Sequence, residues 1–469
     1  MEIQVDKQEK YIFIETFGCQ MNENDSERIA SVLKGMNYRV TDTIDKADMI
    51  ILNTCSIRDK AEQKVYSALG RLKKIKLNKP NLIVGVGGCV AQQEGEKLLK
   101  RAPHLDVVFG THNIHRLPTL IKEVNIKKNR IAATDFYNSI EDSFSDVYAD
   151  DSLTDESKRV KSFVAVMRGC DNFCSYCIVP YVRGRELSRR SKDVLADVNR
   201  LAESGIKEVT LVGQNVNSYG NKNQDISFSE LLQTVCKVNG IERVRFITSH
   251  PKDLSEELIN LFGDEEKLCR HIHLPVQSGA NIVLERMSRG YSREDYLNKI
   301  YKLKQLYSDI GITTDVIVGF PGENESQFLE TMSLVKEVEF DNIFSFKYSP
   351  RPETKAAAFG DQIPDSVKEE RLRILQDAQR EITLSKNKAM VGKIVDVLIE
   401  GRSKVAKVKK GTNNNQFTGR TSCNKVVNIL EQSFGLTDED IGKILQVRVE
   451  RASYNSLLGV VENQMHFSG

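Results

Sequence analysis

Phe163-Val164-Ala165-Val166-Met167-Arg168-Gly169-Cys170-Asp171-Asn172-Phe173-Cys174-Ser175-Tyr176-Cys177 sets three cysteines within eight residues, directly after a strand-like apolar run. Cys170, Cys174 and Cys177 make a three-thiolate clip with no obvious fourth ligand. A closed structural zinc site wants four ligands. A cubane [4Fe–4S] cluster held by three thiolates keeps one iron open to a substrate or cofactor, and thiolates are the ligands such clusters take. The open iron makes this a reactive site and the chain an enzyme. A zinc site completed by a distant His is the alternative, and none of the seven His lies near the motif in sequence.

From about 162 to 350 a strand-then-helix pattern repeats about six times. Strand candidates begin near Phe163, Val209, Val244, His271, Thr314 and Ile343, separated by helices such as 191–204, 228–238 and 293–307. Six parallel βα units predict a partial barrel, with catalytic groups at the carboxyl ends of its strands. The cysteine triplet follows the first strand, which is such an end.

Upstream, residues 11–120 read as an open α/β sheet. Tyr11–Ile14, Met49–Leu52, Leu82–Val86 and Val107–Phe109 are apolar runs of buried parallel strands. Helix-like segments near 25–36, 58–76 and 93–101 lie between them. Cys19, Cys55 and Cys89 follow three of these strands, spaced by 36 and 34 residues (55 − 19 and 89 − 55). That is one βα unit each, so three distant thiols are expected at one sheet edge, where ligands gather. Buried structural cysteine is the plainer fate of such thiols.

Asp135 to Glu156 holds eight acidic residues and no Lys or Arg, and reads as a solvated linker. Residues 366–390 form a charged helix with Leu372, Leu375, Ala378 and Ile382 on one face. The β-rich tail after it, with runs such as Ile394–Ile399 and Lys443–Val449, predicts a small barrel. Arg402 to Lys425 carries seven Lys or Arg and no acid, with Phe417 inside the stretch. Phosphate contact with base stacking and a solvated basic loop both fit that composition. The expected units are 9–125, an acidic linker at 126–158, 159–385 and 386–464.

The 469 residues carry a formal charge of only +2, so no global basic field advertises nucleic acid. Nine cysteines, an odd count, argue against a disulfide framework and for metal or redox use in a reducing cytoplasm. The charged start at Met1–Lys7 lacks the apolar region of a signal peptide, and no apolar run reaches membrane length.

The Cys170-x-x-x-Cys174-x-x-Cys177 spacing, with Tyr176 before the last cysteine, resembles the motif of radical S-adenosylmethionine enzymes. Residues 11–460 are similar to methylthiotransferases. Met167–Cys174, Ile178–Glu186, Thr16–Asn22 and Asn53–Arg58 resemble the branch that modifies isopentenylated adenosine in tRNA. The resemblance implies two [4Fe–4S] clusters and S-adenosylmethionine as cofactors. Cys170, Cys174 and Cys177 would hold the radical-generating cluster. Cys19, Cys55 and Cys89 would hold an auxiliary cluster bearing the sulfur to be donated. One cofactor molecule would methylate that sulfur; a second would yield the radical that takes hydrogen from C2 of the adenine. The implied partners are the tRNA anticodon stem-loop and a low-potential electron donor such as flavodoxin or ferredoxin. A monomer without membrane attachment is expected. Sister enzymes use the same chemistry on threonylcarbamoylated adenosine or on a ribosomal protein, and an RNA-binding protein with merely structural clusters is a third class.

Tyr176, Gln214 and Gln277 are the cofactor-contact candidates, the two Gln standing just past barrel strands at the mouth. Buried-amide packing competes for both Gln. Gly319-Phe320-Pro321-Gly322-Glu323 fits close approach to the cofactor or only a tight turn. His271 and His273 read as barrel lining. Arg183, Arg185, Arg189 and Arg190 fit phosphate contact and a solvated face equally. Cys236, Cys269 and Cys423 have no partner at ligand spacing and read as incidental thiols.

Overall fold

Central strands of a parallel sheet are covered by helices on both faces, so they are apolar on both. The amino-terminal sheet follows this rule. Its strands are β1 (Lys10–Phe17), β2 (Tyr38–Val40), β3 (Met49–Thr54), β4 (Ile83–Gly88), β5 (Val107–Phe109) and β6 (Ile131–Ala133). They lie in the order β2-β1-β3-β4-β5-β6, all parallel. Every residue of β3 and β4 is buried. Alternation along β3 splits its side chains between two cores. Ile50 and Leu52 pack with Leu69 and Leu72 of helix Asp59–Asn78, and Met49 and Ile51 with Ile29 and Leu33 of helix Gln20–Lys34.

This is a computed structural model, describing residues 9–56, 59–137, 159–222, 225–403, 416–430 and 436–462. Two details of the sheet depart from the sequence reading. The linker expected from 126 does not start there: helix Leu117–Lys127 runs past that point, and β6 completes the sheet with Ala133 in its core. Residues 138–158, which hold most of the acidic stretch, lie outside the described residues. The helix expected at 93–101 is two short helices, Cys89–Glu94 and Glu96–Arg101, broken at Gly95 with φ +48°.

The middle of the chain forms the expected partial barrel. Its strands are β7 (Lys161–Ala165), the short pair β8 (Met167–Arg168) and β9 (Leu187–Ser188), then β10 (Glu208–Val212), β11 (Arg243–Phe246), β12 (His271–His273), β13 (Gly311–Val318) and β14 (Asn342–Lys347). Strands β11-β10-β7 and β12-β13-β14 make two parallel sheets over one shared core, linked by the bridge Val244–Leu268. Helix Asp365–Lys388 buries Leu375 against this core, with Leu372, Ala378 and Ile382 beside it.

Strands β15 (Ile394–Arg402), β16 (Phe417–Thr421), β17 (Val426–Ile429), β18 (Ile444–Ala452) and β19 (Leu457–Val461) close into a small barrel in the order β15-β16-β17-β19-β18. It docks under the amino ends of the larger barrel's strands. Arg243 donates to the carbonyls of Arg420 and Asp396, and Arg245 to those of Thr421 and Ser422. Lys425 meets Asp341, beside the start of β14, at 2.8 Å.

The small barrel's own packing overturns the base-stacking reading of the basic stretch. Phe417 is 2% exposed in the small barrel's core, under the Arg402 guanidinium at 5.1 Å, so no base can reach its face. Arg420 pairs with Glu400 and Lys425 with Asp341, which spends their charges inside the protein. Lys404, Lys407, Lys409 and Lys410 lie outside the described residues. Among the described residues, no helix is long and apolar enough to cross a membrane.

Candidate active site

Strand register brings the dispersed cysteines together. Phe17 pairs with Thr54 and Thr54 with Gly88, so β1, β3 and β4 end level. Cys19, Cys55 and Cys89 stand one or two residues past those ends, and all three line one cavity of about 570 Å³. Gly18 permits the approach. A Cβ there would lie 2.8 Å from the Cys55 Cβ and 2.5 Å from Asn22 Oδ1. Buried amides lock the edge: Asn53 Nδ2 donates to the Asn22 carbonyl at 2.7 Å and to Ser26 Oγ at 2.8 Å, and Asn22 Nδ2 to the Thr54 carbonyl at 3.1 Å.

Cys19 precedes helix Gln20–Lys34, whose positive end favours a thiolate. A hydrogen bond with Cys55, the Arg183 guanidinium and the N–H groups of Met21 and Asn22 outweigh burial and bring the Cys19 thiol down to about 6. Cys89 is enclosed, and burial pushes its thiol up although Arg183 pulls the other way.

The compact triplet is built differently, on a loop. Gly169 opens it at φ +77°, where an added Cβ would strike the Arg185 carbonyl oxygen at 2.0 Å. Gln214 Oε1 accepts the Gly169 N–H at 2.5 Å, and the Cys174 carbonyl accepts the Cys177 N–H at 2.9 Å. Burial raises Cys170 to about 11 and Cys177 to about 12. Arg289 Nη1 donates to the Cys174 sulfur at 3.4 Å. His250 Nε2 lies 3.8 Å from the same sulfur. Its Nδ1 accepts the Lys252 N–H, so the ring proton sits on Nε2, facing sulfur. His250 is thus a histidine beside the motif that sequence distance concealed.

Both trios suit an iron–sulfur cluster. Their donor sets are all sulfur, the soft ligands such clusters select. Each is flanked by a guanidinium, Arg183 at Cys89 and Arg289 at Cys174, which offsets the negative charge of bound thiolates. Among the described residues, no three His, Cys, Asp or Glu side chains gather as a single metal ion needs.

The other candidates separate. Gln214 lines the cavity, whereas Gln277 is not among its lining residues. Gln277 is 7% exposed at φ +74° and pairs by its backbone with Asp315 and Ile317. Tyr176 packs beside Phe320 and Tyr348, its hydroxyl 3.3 Å from Arg289. The space beside Gly319 is filled by the Lys368 stem. His271 and His273 line the cavity and share Thr313 Oγ1. Cys423 lines it too, while Cys236 and Cys269 are buried elsewhere.

The arginine run splits, and only its two buried members, Arg183 and Arg189, depart from both sequence readings. Arg183 is 3% exposed, with Nη1 2.7 Å from Asp25 and Nε 3.3 Å from the Cys89 sulfur. Arg189 is buried against the Ala165 carbonyl and Asp197. Arg185, paired with Asp171, and Arg190 are exposed. No local pattern marks which arginine turns inward.

Residues 11–110 match the uncharacterized protein family UPF0004, residues 164–335 the radical SAM superfamily and residues 388–461 the TRAM domain. A tRNA-2-methylthio-N(6)-dimethylallyladenosine synthase of Geotalea uraniireducens is 53% identical to the chain, covering 96% of it and 98% of the relative. The chain belongs to this synthase family. A synthase of the same name from Geobacter metallireducens is 50% identical over the same shares. Among solved structures, the radical S-adenosylmethionine methyltransferase TsrM from Kitasatospora setae matches with TM-score 0.56 and 14% identity, over 75% of this chain and 77% of that one. The cobalamin-dependent radical enzyme OxsB matches with TM-score 0.51 and 15% identity, over 78% and 56%. At such identity these likenesses concern the fold alone. The family's enzymes act on tRNA by name, and a TRAM domain at the carboxyl end of this chain accords with that.

Proposed function

We propose that this chain is a radical S-adenosylmethionine methylthiotransferase, placing a methylthio group on C2 of N6-isopentenyladenosine at position 37, beside the tRNA anticodon. One observation carries the two-site reading. Helix Val179–Arg183, which starts two residues after Cys177, packs Val182 and Ile178 directly on Cys89. The short helix after Cys177 thus touches Cys89 of the other trio, which supports both trios serving one substrate.

In this reading Cys170, Cys174 and Cys177 hold one [4Fe–4S] cluster and Cys19, Cys55 and Cys89 the other. When bound, the first supplies the electron that splits S-adenosylmethionine and the second carries the sulfur to be transferred. The protein's part is to orient and to exclude water. Gln214 fixes the triplet loop through Gly169 and forms cavity wall where a polar cofactor group needs a partner. Tyr176 and Gln277 are further candidate cofactor contacts. Phe344 and Phe346 line the same cavity, an apolar aromatic wall suited to a purine and its apolar tail. The raised thiols of Cys170 and Cys177 give up protons as metal binds, so assembly releases acid. The reading includes a flavodoxin- or ferredoxin-like electron donor, a monomer and a cytoplasmic setting.

Mass spectrometry of tRNA nucleosides, after anaerobic incubation with reconstituted enzyme, cofactor and reductant, tests the substrate. A methylthio product on isopentenylated but not threonylcarbamoylated adenosine is expected. Modification of the latter alone would reject the assignment.

A further inference from the structure

Arg183 belongs to the barrel unit by sequence, yet its side chain is buried in the amino-terminal unit. Its helix leaves the triplet loop directly after Cys177 and ends at Gly184, where φ is +80°. Two side chains of the amino-terminal unit clamp that end. Thr111 Oγ1 donates to the Val182 carbonyl at 2.8 Å, and His112 Nε2 lies 2.9 Å from the Arg183 carbonyl. The guanidinium then spans Asp25 and Cys89, with Nη1 2.7 Å from the carboxylate and Nε donating to the sulfur at 3.3 Å. Arg28 and Arg168 share this neighbourhood, at 3% and 1% exposure, with Asp25 at 1%. Arg183 and Arg28 both approach Asp25, at 2.7 and 3.9 Å. A cluster on three thiolates that bears further sulfur is an anion, and the Arg183 guanidinium stands at one of its ligand sulfurs.

We propose that Arg183 is a positioning residue for the auxiliary cluster: its N–H···S bond to Cys89 sets that cluster's potential and ties its place to the triplet loop. The proposal rests on Cys19, Cys55 and Cys89 being cluster ligands. Hydrogen bonds to ligand sulfur and nearby net charge are the protein's levers on cluster potential. A charge-assisted donor stabilises the more negative, reduced form. Removing it lowers the potential, and the effect belongs to the cluster whose thiolate it touches.

The test uses the full-length chain with Cys170, Cys174 and Cys177 changed to Ala, so that only the auxiliary site reports. Arg183→Gln alone breaks the 2.7 Å ion pair with Asp25 and changes the local charge, so the decisive variant is the charge-free pair Arg183→Gln with Asp25→Asn, which removes one charge of each sign. Arg183→Lys is its companion. Iron and sulfide content and the electron paramagnetic resonance of the reduced cluster show whether a cluster is assembled. A redox titration then reads its potential. The charge-free pair should hold a cluster with the reduced-to-oxidised ratio about tenfold lower at fixed potential, equivalent to about 59 mV for one electron. Arg183→Lys, which keeps the charge, should fall by less. In the reciprocal background, with Cys19, Cys55 and Cys89 changed to Ala, the charge-free pair should leave the radical cluster's potential in place. An auxiliary potential unchanged by the charge-free pair, or equal shifts at both clusters, overturns the proposal. A parent that assembles no iron on the dispersed trio overturns the ligand assignment itself, and the proposal with it.

Discussion

The two cysteine trios reach similar ends by opposite routes. Cys170, Cys174 and Cys177 lie on one loop, whose shape is set by Gly169 at φ +77° and by Gln214 on its N–H. Cys19, Cys55 and Cys89 come from three strands, and only the level ends of β1, β3 and β4 gather them. The loop trio depends on local backbone conformation, the sheet trio on tertiary register. Substitutions that disturb one route should therefore spare the other.

The largest effect expected is a clean split of activities. Cys174→Ala abolishes deoxyadenosine formation. Cys55→Ala leaves S-adenosylmethionine cleavage in place and abolishes sulfur insertion. Product analysis on the two reconstituted variants reads both, and equal loss of cleavage, with the radical cluster still assembled in Cys55→Ala, would erase the distinction.

Two glycines sharpen the comparison without touching a ligand. Gly169→Ala forces a side chain against the Arg185 carbonyl at an unfavourable φ, and Gly18→Ala pushes on Cys55 and Asn22. Each should cost about 1–3 kcal/mol in chemical unfolding. The first should lower iron bound at the loop trio, the second at the sheet trio, each measured with the other trio changed to Ala.

Acid should act on both halves alike. Burial holds His112, of the sheet unit, and His271, of the barrel, neutral, each with its pKa lowered to about 3. Below the ordinary value of 6.5 the unfolded chain takes up protons that the folded one refuses, so stability falls as pH drops from about 6.5 towards 3. At pH 5 the loss is about 2 kcal/mol for each histidine. Denaturant unfolding of the cluster-free protein at pH 7 and pH 5 reads these two together with His250, which burial lowers as well. His271→Gln should remove its share, and an unchanged pH response in that variant would contradict the burial argument.

Much of this was legible in sequence because the signals are local. A cysteine just past an apolar run marks a strand end, and the repeating strand-helix alternation marks parallel sheets. The onsets expected at Phe163, Val209, Val244 and His271 fall inside or at the start of β7, β10, β11 and β12. The short strands β2 and β6 did not stand out because each buries only one of its three residues and so shows no run of large apolar side chains. Phe417 misled for a related reason: one aromatic amid basic residues looks the same in sequence whether it faces a base or a barrel core.

Chain order alone supplied the six thiols, the three-unit architecture and the likeness to methylthiotransferases, since ligand type and periodicity are properties of short segments. Tertiary structure decided which charges turn inward. Arg183 finds its carboxylate on Asp25 and its sulfur on Cys89, both in another unit of the chain. The partners that make a buried guanidinium stable are non-local, so folding alone brings them within reach.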